Sequence, residues 1–335
     1  MAVTLGKWRK PFRLKFIQIV SLCVVCSLSI RFQRFNVATK QKHSLHRFPS
    51  AIVRNHERGD LFIGYAEGYP PEVIFRVSSS FHSVTGAPAL LVLFSDIDSA
   101  TRSHLEAKFT RLRVVNIEYP GTFVEDRISH VSQEFTNPAF QRYLAIHAWL
   151  TVHSKEFRHV IMSDIRDVAF FGDPFRQLKS DTTPGVQVFT ELLRYKDDAK
   201  WNQKWLRNCY GQSFVDEILQ EYITCCGVIA GTSESLLEYL DLFVEELNHK
   251  KGCDKTGLDT AIHVWIIHRR LNNTKIIDSE MSLIRHAPNL TGTRLNSRGE
   301  PVNLLGEPYA LVHQADRLPS LWQRYCSQHD PVTKV

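Results

Sequence analysis

The stretch HVIMSDIRDVAFFGDPF, residues 159–175, decides how the rest of the chain is read. It opens as an apolar run of strand length and ends that run in two carboxylates, Asp164 and Asp167, three positions apart with Arg166 between them. Apolar VAFF follows, and then a turn at Gly172-Asp173-Pro174. Carboxylates at the end of a central parallel strand stand where open α/β sheets bind their ligands. Hard oxygen donors there suit Mg²⁺ or Mn²⁺, which in turn neutralises a diphosphate. Taken alone, the pair has a plainer reading, with Asp167 paired to Arg166 or capping a turn.

Upstream, strand and helix signals alternate. LFIGYA (61–66) is a short apolar run, after which Val73, Ile74, Val77, Phe81 and Val84 recur at helical spacing. ALLVLFSDI (89–97) reads as a buried strand, SATRSHLEAKFTRL (99–112) as a helix, and RVVNIEYP (113–120) as a strand stopped by Pro120. A helix is predicted from about 138 to 154, with Pro138 at its start. This order predicts an open, mostly parallel sheet with helices on both faces, binding its ligand beyond the carboxyl ends of the strands. Downstream the pattern is more mixed. VQVFT (186–190) and CCGVIAG (225–231) read as strands, with helices near 213–222 and over 233–248. Met and aromatic residues in these stripes read as core packing. No internal repeat or second linker interrupts them, so one domain over 59–330 is expected.

The first 50 residues differ in kind. They hold ten of the 41 Lys and Arg and no acidic residue, so positions 51–335 carry 31 basic and 35 acidic residues, a net of −4. The basic balance belongs to the N-terminus, and a folded part without clustered positive charge argues against nucleic acid as a partner. With 43% hydrophobic and 23% charged residues, the chain is neither disordered nor fibrous. FIQIVSLCVVCSLSI, residues 16–30, is an uncharged apolar run with five basic residues before it and Arg31 and Arg34 after it. Fifteen helical residues span roughly 22 Å, short of a hydrocarbon core of about 30 Å, so a cleaved signal peptide is one reading. The run lacks a small-residue cleavage site, and Lys15 and Arg31 can snorkel to the interfaces. The expected layout is therefore a cytosolic tail (1–15), a single transmembrane signal anchor (16–30), a stem (31–58) and a luminal domain, membrane anchored as a single-pass type II protein.

Two sequons, at Asn272 and Asn289, fit exposure to the lumen. Cys209, Cys225, Cys226, Cys253 and Cys326 make an odd luminal set, with at most two internal disulfides and one thiol left over, which leaves room for a homodimer. Adjacent Cys225 and Cys226 are expected either to reach distant partners or to be buried. The absence of a luminal C-x-x-C pair argues against zinc.

On these residues the chain resembles the GT-A fold glycosyltransferases, whose hallmark is a D-x-D at a strand end. Counted back from Gly172-Asp173, Asp167 falls at the motif's last Asp, while the first is displaced by one to give Asp164-Ile165-Arg166-Asp167. GYAEGYPPEVI (64–74) resembles the nucleotide-cradling loop of that fold, which puts Tyr65 and Ala66 against the nucleotide. ITCCGVIAGTSESLLEYL (223–240) resembles its acceptor-side strand and helix, and GLDTAIH (257–263) its D-Q-x-x-x-N-type helix start. LVHQADRLPSLW (311–322) is similar to the tail of glycogenin-like retaining transferases, whose histidine completes the metal site; His313 is the matching position. The resemblance implies a GT-A type Rossmann-like open mixed sheet flanked by helices and a Golgi enzyme. Its partners are then a nucleotide-sugar donor, UDP-sugar favoured, and a glycan, glycoprotein or glycolipid acceptor. It implies Mn²⁺ or Mg²⁺ held by Asp164, Asp167 and His313, phosphate contacts from Arg142 or Arg166, and Asp259 as acceptor-binding residue or general base, with Glu221 and Asp254 behind it. The His-containing tail favours retention, while Asp259 as base leaves inversion open. Two other functions fit the residues: a binding or scaffolding protein with a degenerate site, and a luminal glycoside hydrolase using paired carboxylates.

Overall fold

The computed structural model describes residues 58–331 apart from 87, 117–137, 182, 250–252, 254–256 and 288–292. Its first half runs β1 (Gly59–Tyr65), α1 (Pro71–Val84), β2 (Leu90–Ser95), α2 (Ser99–Lys108), β3 (Leu112–Asn116), α3 (Pro138–His153) and β4 (Phe157–Ser163). Its second half runs β5 (Val168–Phe170), α4 (Phe175–Ser180), β6 (Val186–Arg194), α5 (Asn202–Tyr210), α6 (Gln212–Ile218), β7 (Tyr222–Thr232) and α7 (Ser233–His249). It continues through α8 (Leu258–Trp265), β8 (Thr274–Ile277), β9 (Ile284–His286), β10 (Arg294–Leu295), β11 (Pro301–Val302), β12 (Leu311–His313) and α9 (Pro319–His329).

The central sheet has the order β3-β2-β1-β4-β7-β6-β8. Strands β3, β2, β1 and β4 are parallel, as the alternation of signals predicts, while β7 runs against both of its neighbours and makes the sheet mixed. Helices cover both faces, so β1, β2 and β4 are buried nearly throughout and read as continuous apolar runs rather than alternating ones. The chain leaves β1 to one side for β2 and returns on its other side as β4. The carboxyl ends of β1 and β4 therefore form the switch point at which such sheets bind ligands.

Two helices are shorter than their sequence signals. Helix α2 starts on an Asp98 cap that accepts from the N–H groups of Ala100 and Thr101, and it closes at Lys108 because Phe109 turns into the core. Helix α6 stops at Ile218, since Tyr222 already begins β7. The end of the strand expected to reach Pro120 and the segment 16–30 lie outside the described residues. Among the described residues no helix is long and apolar enough to cross a membrane.

A second sheet, in the order β5-β12-β9, is what positions the site. The apolar VAFF stretch forms β5, and β12, from the tail, pairs antiparallel with β5 and parallel with β9. That register sets His313 opposite both Val168 and His286. Behind it Tyr309, Leu318, Leu321 and Tyr325 make a small core, and the Tyr325 hydroxyl donates to Ser80 Oγ on α1 at 2.5 Å. The tail is thereby fixed to the front of the main sheet.

Candidate active site

Beyond Ser163 the chain leaves β4 and turns, with Ile165 inside the core and Arg166 outside it, before β5 begins at Val168. Two backbone bonds hold this turn: the Asp164 N–H donates to the Gly227 carbonyl at 2.8 Å, and the Ala315 N–H to the Asp167 carbonyl at 2.9 Å. Both carboxylates consequently face His313. Its Nε2 lies 3.2 Å from Asp164 Oδ2 and 3.7 Å from Asp167 Oδ1, and the three ligand-capable atoms lie within 4.8 Å of one another. Two carboxylate oxygens and an imidazole nitrogen are a donor set that fits Mn²⁺ or Mg²⁺.

Strand β7 makes room for that imidazole. A Cβ on Gly227 would stand 2.1 Å from His313 Cε1 and 2.5 Å from Nε2, so only glycine lets the ring lie against the strand. On the ring's other edge, His313 Nδ1 lies 2.8 Å from His286 Nδ1. One proton serves that contact. When His313 donates it, its Nε2 keeps a lone pair directed at the two carboxylates, the tautomer that a metal requires.

The charges are strongly coupled. Burial pushes the Asp164 carboxyl up, but Arg142 and His313 outweigh it and hold the group at about 2. Asp167 is held above the usual carboxylate range by burial, to which the Asp164 charge adds. Burial disfavours the charged form of His313, yet its bond to Asp164 and the charges of both aspartates raise it. Arg142, on α3, contacts Asp164 directly, and its Nη2 lies 3.3 Å from Asp259 Oδ2, so a single guanidinium ties the strand-end carboxylate to the start of α8. Asp259 is nevertheless raised, by burial first.

These groups line a cavity of about 880 Å³. Tyr65, Glu67 and Tyr69 line it from the end of β1 and the turn that follows, and Glu191, Leu193, Trp201 and Trp205 from β6 and the start of α5. Tyr65, Arg142, Asp164, Arg166, Asp167, Asp259 and His313 all reach the cavity. Arg166 is exposed, 3.7 Å from Asp167 and 4.0 Å from Asp316. Ala66 does not reach it; it is fully buried, and its N–H donates to the Phe94 carbonyl. Glu221 does not reach it either, being exposed at the turn before β7, where its backbone groups bond to Tyr195 and Ile218. Asn272 sits in an exposed turn, whereas Asn289 and Asp254 lie outside the described residues.

Sequence reasoning missed four participants. Cys225 and Cys226, free rather than cross-linked, project to opposite sides of β7 and both line the cavity. Cys226 Sγ is 3.5 Å from Thr260 Oγ1, and Cys225 Sγ is 3.8 Å from His313 Nδ1. Burial raises both thiols, Cys226 to about 12. Cys225, His286 and His313 form a second cluster of convergent ligand atoms, in a chain whose cysteine spacing argues against zinc. His286 was invisible because only the β9–β12 register brings it there. Glu191 is raised chiefly by burial; its place at the cavity follows from β6 outrunning the VQVFT signal to Arg194.

No protein-family model and no curated protein matches the chain by sequence. Among solved structures, the galactosyltransferase LgtC in complex with donor and acceptor sugar analogues superposes with a TM-score of 0.52 at 12% identity, over 82% of this chain and 98% of that one. An active-site mutant of LgtC aligns with a TM-score of 0.47 at 12% identity, over 79% and 95%. At this identity the likeness establishes a shared fold.

Proposed function

We propose that the chain is a GT-A fold glycosyltransferase that moves a sugar from a nucleotide-sugar donor, UDP-linked by preference, to a hydroxyl of a glycan, glycoprotein or glycolipid. The observation that carries this reading is the convergence of Asp164, Asp167 and His313 at the carboxyl end of β4, inside a large cavity, on a fold shared with a galactosyltransferase. Donor cleavage breaks a C–O bond to a diphosphate, so the site must stabilise developing negative charge and hold the acceptor in reach. Asp164, Asp167 and His313 would hold Mn²⁺ or Mg²⁺, which supplies Lewis-acid charge to the diphosphate.

The chain's own residues do the rest. Tyr65 and Tyr69 bound the end of the cavity beside the switch point, the place for the nucleotide. Arg166, its side chain 63% exposed, is free to turn from Asp167 to phosphate oxygens. Arg142 stays between Asp164 and Asp259 and keeps the latter's carboxylate oriented into the cavity. Asp259, half-buried and raised, is the group to accept the acceptor proton at Oδ1 or Oδ2. The N-terminal run and its basic flanks support a further proposal, that the enzyme is a type II protein of the Golgi membrane with this domain luminal.

The test is nucleotide release by the full chain in detergent micelles, across a panel of nucleotide sugars, with and without Mn²⁺, beside Asp167→Ala. Metal-dependent release from one donor, lost in the variant, is the expected result. Donor binding with no release would make the protein a binding module. Glycan cleavage without nucleotide or metal would make it a hydrolase.

A further inference from the structure

The part of the cavity lined from β6 and α5 has a character of its own. Trp201, the residue that caps α5, and Trp205, four residues on within the helix, both line this wall. Trp201 is 49% exposed, an unusual state for an indole in a folded chain. The Lys200 ammonium sits 4.8 Å over the Trp201 ring, and the Trp205 ring lies 6.0 Å away, centroid to centroid, tilted by 40°. Lys200 thus occupies one face of Trp201 and leaves indole surface open towards the cavity.

Trp205 is half-buried, packed beside Leu206, Phe214 and Ala261. Gly257, the residue before α8, has a φ of +71°, and a Cβ on it would stand 2.1 Å from the Trp205 ring. Its missing side chain lets the indole lie against the start of the helix that carries Asp259. The same wall is rich in hydrogen-bond acceptors, with Glu191, Asp198 and Asp259 facing the cavity and Arg317 the cation at its edge. Asp198 already accepts from the N–H groups of Trp201 and Asn202, which fixes the first turn of α5.

We propose that Trp201 and Trp205 form the acceptor subsite, and that its ligand is a neutral glycan whose terminal pyranose stacks on the indoles. This rests on the transferase reading and narrows it. A pyranose has an apolar C–H face that matches an open indole and a rim of hydroxyls that donate to carboxylates. A Ser/Thr peptide or a lipid chain lacks that pairing of an apolar face with a rim of hydroxyls, and a sialylated glycan would bring a further carboxylate beside Glu191 and Asp198. Trp205 abuts the start of the helix that carries Asp259 and both residues line the cavity, so a sugar stacked on the indole pair lies on the Asp259 side of it.

The experiment uses the full chain with Mn²⁺ in three readouts: binding to an array of neutral oligosaccharides, their sialylated counterparts and Ser/Thr peptides; KM for the best-bound glycan; and KM for the donor. For Trp201→Ala the array signal falls, and the glycan KM rises about ten-fold or more, while the donor KM moves less than about two-fold; Trp201→Phe recovers most of the loss. Both variants alter an exposed side chain, and a thermal melt checks that they fold. Preference for peptides or sialylated glycans, no glycan bound by the parent chain, or Trp201→Ala binding as the parent does would each overturn the subsite. Failure of donor cleavage with glycan binding intact would overturn the transferase reading and leave the indole platform standing.

Discussion

Gly227→Ala puts the site's construction to its hardest test, because the change is a single methyl group and replaces no ligand residue. The new Cβ would stand 2.1, 2.5 and 2.8 Å from Cε1, Nε2 and Nδ1 of His313, all inside van der Waals contact. The ring has nowhere easy to go. It is 2% exposed, its strand is paired on both edges, and His286 holds its Nδ1 at 2.8 Å. Overpacking of this kind costs about 1–3 kcal/mol, which for a domain of this size lowers Tm by roughly 2–4 °C per kcal/mol. The effect on metal is expected to be larger than the effect on folding. Displacing Nε2 separates the imidazole from two carboxylates that stay where the turn and its backbone bonds put them, and losses of about 10–100-fold in metal affinity follow from far milder disturbance of a ligand's support. Free Mn²⁺ measured by electron paramagnetic resonance against titrated protein gives the affinity, and a melt without metal gives the stability. If Gly227→Ala binds Mn²⁺ as tightly as the parent chain, His313 is not a ligand and the argument from this cluster fails.

Two further predictions follow from the charges. Asp164 is held at about 2, below its ordinary value, so its charge stabilises the fold above about pH 4 and loses that effect as pH falls towards 2. Asp167 is held above the ordinary range, so its charge opposes folding. At pH 7 without metal, Asp164→Asn should therefore lower Tm and Asp167→Asn should leave it unchanged or raise it, although both abolish Mn²⁺ binding; the reverse order of melts would refute the assignment. His263, fully buried with Nδ1 2.9 Å from the Tyr239 hydroxyl, is held at about 3 by burial. The unfolded chain takes up that proton near pH 6.5, so stability contributed by neutral His263 is complete above about pH 6.5 and falls by about 1.4 kcal/mol per unit as pH drops towards 3. Denaturant melts between pH 4 and 7 should show a shallower slope for His263→Gln than for the parent chain, and equal slopes would remove His263 from the acid response.

The frame was legible because its strands are buried on both faces. LFIGYA, ALLVLFSDI and HVIMSDI are continuous apolar runs between helical periodicities, and β1, β2 and β4 fall on them. The antiparallel insertion of β7 was not legible, since strand direction leaves no mark in a short apolar run such as CCGVIAG. The site divides along the same line. Asp164 and Asp167 announce themselves by ending a strand, and Asp259 by opening a helix. His286, Cys225 and Glu191 lie in strands whose composition says only that they are buried; the pairing of β9 with β12 sets His286 behind His313, and the course of β6 and β7 brings Glu191 and Cys225 to the cavity. Ala66 and Glu221 fall outside the cavity lining for the opposite reason. Proximity in sequence to a promising segment does not set the direction in which a side chain leaves the backbone.

The displaced motif is explained by the turn rather than by the strand. In an extended strand, residues two apart share a face and residues three apart point to opposite faces, so Asp164 and Asp167 could not act together if β4 continued through them. It does not continue: Asp164 lies just past Ser163, and Ile165 to Asp167 form a bend and turn before β5. Within that turn Ile165 is drawn into the core at 2% exposure and Arg166 is thrown outward, which returns Asp167 to the side of Asp164. The extra residue is absorbed by burying an isoleucine. A change that restores the shorter spacing, deletion of Ile165, would lose that anchor, and with it the N–H of Asp164 on β7 and the carbonyl of Asp167 on the tail would no longer be held in register. The four-residue form is thus a self-consistent geometry, in which the spacing, the buried Ile165 and the missing side chain at Gly227 serve one placement, that of two carboxylates around His313.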